Sequence, residues 1–118
     1  MVNSEPEDKI IDSNDKEIPK SVILKKMREI LGNAVHKVTI TVLDISDLQD
    51  LHLSEVRSSV NIKIRCNINP SLEEDAELLE ELERLDNITI RLYEDRNRFL
   101  IDRDGEELYY YKVEKTIM

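Results

Sequence analysis

Lys63, Arg65 and Arg91 are the side chains of this sequence best spaced to do chemistry, and that chemistry is anion recognition. Lys63 and Arg65 occupy alternate positions of the run Val60-Asn61-Ile62-Lys63-Ile64-Arg65-Cys66-Asn67-Ile68, and Arg91 has the same place in Asn87-Ile88-Thr89-Ile90-Arg91-Leu92-Tyr93. Side chains alternate across a strand, so in both runs the cations share the polar face. Arg96, Arg98 and Arg103 follow shortly after. Arginine presents a planar fork of donors to carboxylate or phosphate, and lysine a compact point charge. Such a face would receive a phosphate, a carboxylate or an acidic partner segment. The competing expectation is that these cations pair with Glu94, Asp95, Asp102 and Glu106 on a wet surface. Tyr109-Tyr110-Tyr111 adds a second feature, because alternation sends Tyr109 and Tyr111 to the side opposite Tyr110. An aromatic pair on a polar face would form an association patch, and simple packing on an edge strand is the alternative. The candidate binding residues are Lys63, Arg65, Arg91, Arg96, Arg98, Tyr109 and Tyr111.

Patterns for catalysis or metal binding are sparse. Gly32 and Gly105 are the only glycines, too few for a phosphate-cradling loop. His36 and His52 are expected at the surface or at helix ends rather than as a metal pair. Glu73, Glu77, Glu80 and Glu81 read as a solvated helix face, since a general acid or base needs burial or a close like charge to tune it. Asp12-Ser13-Asn14-Asp15-Lys16-Glu17 has acids in the manner of a calcium loop but lacks its glycine and terminal glutamate. Cys66 is the only cysteine, so no intrachain disulfide can form, and its apolar position predicts a buried, inert thiol. No catalytic residue, metal site or cofactor is assigned, and a non-enzymatic protein is expected.

The elements that must hold these residues are those of one domain of 118 residues, with an aliphatic core because aromatics are only 4% of the chain. The net charge of −9 is uneven: residues 1–17 hold six acids against two lysines, and residues 71–86 eight acids against one arginine. That balance opposes direct nucleic-acid binding, which rests on many cation–phosphate contacts. No apolar run reaches the roughly 20 residues a membrane span needs, and no signal peptide is read, so a cytoplasmic protein is expected.

Residues 1–17 lack periodicity and are expected to be a disordered acidic tail, leaving residues 18–118 as a single domain. A helix is predicted over 19–31, with Pro19 in its first turn and a left-handed stop at Gly32-Asn33. A strand follows at 37–43. Ser46-x-x-Gln49 and Ser71-x-x-Glu74 have the form of capping boxes, predicting a short helix over 47–55 and a longer one over 72–85. The second helix lies between strands at 60–68 and 87–93, a parallel β-α-β unit. Strands at 98–102 and 107–113 flank Asp104-Gly105, a pair suited to the positive φ of a tight hairpin turn. The fold class is α/β (α+β): a two-layer sandwich with a mixed sheet of about five strands, two main helices on one face and a C-terminal β-hairpin.

This order of elements is similar to half of a phospholipase D-like domain, and in particular it resembles the regulatory domain of archaeal TrmB-type transcription regulators. The resemblance rests on the helix leading into Val38–Leu43, on Val60–Leu85, on Asn87-Ile88-Thr89-Ile90-Arg91-Leu92, and on Arg98-Phe99-Leu100-Ile101-Asp102 running into the hairpin. Active members carry His-x-Lys with a downstream Asp. Arg96-Asn97-Arg98 stands at the matching positions here, with Asp102 or Asp104 beyond. The resemblance therefore implies a non-catalytic relative. The function expected is a regulatory or protein-interaction domain, self-associating as a homodimer through an exposed sheet face or the hairpin. The alternative is a sensor of an anionic metabolite.

Overall fold

The computed structural model describes residues 9–11 and 18–114. The elements are β1 (Lys9–Ile11), α1 (Lys20–Leu31), β2 (Lys37–Asp44), 3₁₀ segments at Ile45–Leu51 and Leu53–Glu55, β3 (Asn61–Asn67), α2 (Glu73–Glu83), β4 (Ile88–Leu92), β5 (Arg98–Arg103) and β6 (Glu107–Glu114). The strands form one mixed sheet in the order β1-β6-β5-β2-β3-β4. β2, β3 and β4 run parallel, β5 is antiparallel to β2, and β6 returns beside β5 as the expected hairpin. The mixed sheet and compact α+β architecture are those predicted, with β1 as a further edge strand on β6. Residues 1–8 and 12–17 of the expected tail lie outside the described residues. Lys9–Ile11 is a strand rather than tail.

Strand β3 shows why there are two layers. Ile62, Ile64 and Cys66 are buried while Asn61, Lys63 and Arg65 are exposed, so one face is covered and the other is open. α1 packs on β5 and on the first 3₁₀ segment, and α2 packs on β4 and on that same segment. Ile23, Leu24, Met27, Ile30 and Leu31 recur at helical spacing and are all buried. They meet a sheet face that includes Val38, Ile40, Ile62, Ile64, Phe99 and Ile101. α2 is a lighter cover, since Leu78, Leu79, Leu82 and Leu85 are only half-buried.

The element ends differ from the sequence expectation in three places. Gly32 has φ −62° and ψ −18°, so α1 runs on right-handed, and the N–H groups of Gly32, Asn33 and Ala34 satisfy its last carbonyls. The capping box at the first 3₁₀ segment is Asp44 with Asp47, not Ser46 with Gln49. The Asp47 carboxylate accepts from the Asp44 N–H at 3.1 Å and pairs with Lys20 Nζ at 2.8 Å. At α2, Leu72 takes the N-cap position without a side-chain bond. Asp75 instead accepts from the Asn69 N–H at 2.9 Å, and Asn69 Oδ1 from the Ser71 N–H at 3.0 Å. Short acidic side chains that reach back to the chain before them outcompete serine in both turns.

The hairpin turn does more than reverse the chain. Asp104 and Gly105 have φ of 56° and 70°, as the Asp-Gly pair predicts. The left-handed backbone turns the Asp104 side chain toward the start of β2. There its carboxylate accepts from the N–H groups of Val35, His36 and Lys37 at 2.9, 2.7 and 2.9 Å. The Asp104 N–H donates to the Lys37 carbonyl at 2.8 Å. The bonds from Lys37, Val35 and His36, with the charge of Arg103, hold this carboxyl at about 2, below its ordinary 3.8.

Candidate functional site

Strand register brings Lys63, Arg65 and Arg91 together on the open face. Arg65 lies directly across from Arg91 on β4 and from Thr41 on β2. Lys63 lies across from Thr89 and Thr39. The rows continue over the sheet through Thr41, Leu100 and Tyr110, and through Thr39, Asp102 and Leu108. Arg98 and Lys112 are opposite one another at one end, and Lys37 opens β2 at the other. By register this face carries Lys37, Lys63, Arg65, Arg91, Arg98 and Lys112, with the carboxylate of Asp102 among them. Asp102 is itself engaged by the Gly105 N–H at 3.1 Å. Among the described residues, no salt bridge reaches Lys63, Arg65 or Arg91, so the expected pairing with Glu94, Asp95 or Glu106 is not what occupies them. Placing the like charges of Arg65 and Arg91 side by side on adjacent strands works against folding.

The other candidates are placed differently. Arg96 has left the sheet, with φ 43°, and binds Asp44 at the end of β2 through two bonds of 2.9 Å. This fork-to-fork pair ties the β4–β5 loop to the β2 end. Arg98 lies over the Tyr93 ring at 5.5 Å and donates to its hydroxyl at 2.8 Å. Arg96 and Arg98 thus both have partners within the fold.

Tyr109 and Tyr111 are a correction. They stand opposite Ile101 and Phe99, both fully buried, and pack half-buried against the core instead of forming a patch on the polar face. Their rings are 4.9 Å apart and tilted by 59°. Burial, then the hydrogen bond with Tyr111, raises the Tyr109 hydroxyl well above its ordinary value. The exposed tyrosine is Tyr110, at 49%, and Leu108 on the same face is 65% exposed. These two, with Leu100, Lys37 and Lys112, are members of the face that sequence reasoning missed. The parity of Val113, buried in register with Tyr109 and Tyr111, is the signal that could have found them.

The remaining reactive side chains do not gather into a site. Cys66 is fully buried, and its thiol is pushed up to about 12 by burial and by the charges of Asp44, Asp47 and Asp75. His36 is exposed at the start of β2, and His52 Nδ1 lies 2.9 Å from Glu55. Among the described residues no three potential ligands gather around a metal position. No described helix is long and apolar enough to cross a membrane. No protein-family model matches the chain, and no curated protein matches it.

Proposed function

We propose that this chain is a non-enzymatic, cytoplasmic interaction domain that takes an acidic segment of a protein partner on its open sheet face. The observation that carries the reading is the side-by-side pair Arg65 and Arg91, with Lys63 beside them, left without carboxylates among the described residues of a strongly acidic chain. A carboxylate-bearing segment would relieve their mutual repulsion and gain charge-assisted hydrogen bonds. Leu100, Leu108 and Tyr110 supply apolar contact in the neighbouring rows. A nucleic acid fits less well. Tyr110 is the only aromatic among the residues of this face named above, and stacking platforms use several. A regulatory role, as the phospholipase D-like resemblance implies, would follow from the identity of the bound segment.

The test is fluorescence anisotropy with a labelled peptide rich in glutamate and leucine, an oligonucleotide of equal charge, and the variant Lys63→Glu/Arg65→Glu/Arg91→Glu. Salt-sensitive peptide binding that the triple variant loses supports the reading. Peptide binding unchanged in the variant, or a preference for the oligonucleotide, overturns it. Light scattering in the same buffers shows whether a second copy takes the face instead.

A further inference from the structure

We propose a second, separate site: the cleft between the C-terminal end of α1 and the 3₁₀ connection binds a small organic anion, with one carboxylate, phosphate or sulfonate group on an apolar body. The cleft is an open depression of about 680 Å³, inside the range of roughly 300–1,000 Å³ typical of ligand pockets. It belongs to the helical layer, on the opposite side of the sheet from the cationic face.

Its lining supplies both halves of the ligand chemistry. Leu31 and Leu51 are buried beneath it, Val56 is half-buried, and Val35 stands 58% exposed at the rim. Arg28 comes from the last turn of α1 and Arg57 from the far wall; both are exposed, and neither has an ion pair among the described residues. The one carboxylate in the lining is Glu55, 2.9 Å from His52, and the two arginines outnumber it, so the cleft keeps an excess of positive charge.

The end of α1 would ordinarily set a partial negative charge here. Its carbonyls at Arg28, Ile30 and Leu31 are already taken by the N–H groups of Gly32, Asn33 and Ala34, which blunts that effect. The wall is also fixed before any ligand arrives, because Asp104 holds the Val35 N–H from across the sheet.

Anilinonaphthalene sulfonate has the required chemistry and reports its own binding by fluorescence. Titrated into the full chain at low salt, it should bind saturably. Amide shift changes in an NMR spectrum should be confined to residues 28–35 and 51–57. Arg28→Gln/Arg57→Gln, which keeps a polar side chain and removes the charge, should weaken binding by roughly tenfold or more, as expected for losing a charge-assisted contact. In the variant Lys63→Glu/Arg65→Glu/Arg91→Glu the shift changes should stay on the same residues. Absence of saturable binding, shift changes centred on the sheet face or α2, or equal affinity in the Arg28→Gln/Arg57→Gln protein would overturn the proposal. Because the mapping uses the unaltered protein, it decides the matter even if a variant fails to fold.

Discussion

Asp104 accepts three consecutive backbone N–H groups some 68 residues away in the chain, so it works as a latch between the hairpin turn and the start of β2. Its depressed value sets the sign of the pH effect. The unfolded chain takes up the proton near 3.8 and the folded one only near 2, so the latch contributes fully above about pH 4. That contribution is lost as pH falls from about 4 to 2. Asp104→Asn should lower the melting temperature at neutral pH and flatten its dependence between pH 4 and 2, measured by circular dichroism. A variant with the unaltered slope would show the latch to be idle. Nothing local in the sequence announces this bond. Asp-Gly signals a turn, but where the carboxylate lands depends on β5 lying beside β2, and that pairing is set by the whole sheet.

At the scale of elements, alternation made the strands legible, because a half-buried strand writes its burial into every second residue. The same rule placed Lys63, Arg65 and Arg91 on one face correctly. On β6 the rule is weaker, since Glu107-Leu108-Tyr109-Tyr110-Tyr111-Lys112-Val113 offers apolar residues to both sides and the parity of Val113 is the one local hint. Tertiary register to Phe99 and Ile101 decides which face is inward. Both capping boxes were misread for a related reason: several residues near each helix start have the right chemistry, and geometry selects among them. α2 carries a further tension. Glu73, Glu77 and Glu81 follow one another at four-residue spacing and are all exposed, so like charges line one ridge. Glu77→Lys would turn two repulsions into two attractions and should stabilise the protein by about 1 kcal/mol, at roughly 0.2–0.5 kcal/mol per pair. Urea denaturation at low salt reads this, and the gain should shrink in high salt.

Across the whole molecule, charge is unevenly spread, with cations gathered on the open sheet face and acids along α2. The acids also stand next to β4, whose outer edge is unpaired among the described residues and whose Leu92 is 56% exposed. An exposed edge strand invites pairing with another chain, and nearby charge is a common deterrent. Changing Glu77, Glu80, Glu81 and Glu83 together to glutamine should therefore raise the apparent mass by light scattering above that of the unaltered protein at equal concentration. Equal masses would mean that β4 is protected by something other than α2.

The pairing of β1 with β6 brings Lys9 opposite Glu114, so β1 is completed by a strand about 100 residues later in the chain. At cellular elongation rates of about 5–20 residues per second, β1 waits roughly 5–20 s on the ribosome before its neighbour exists. β2 is in the same position on one side, since β3 emerges soon after it and β5 does not. Until β5 emerges, β2 therefore has a strand to pair with on one side only. The Asp104 latch can engage only when the hairpin has emerged to close the other side.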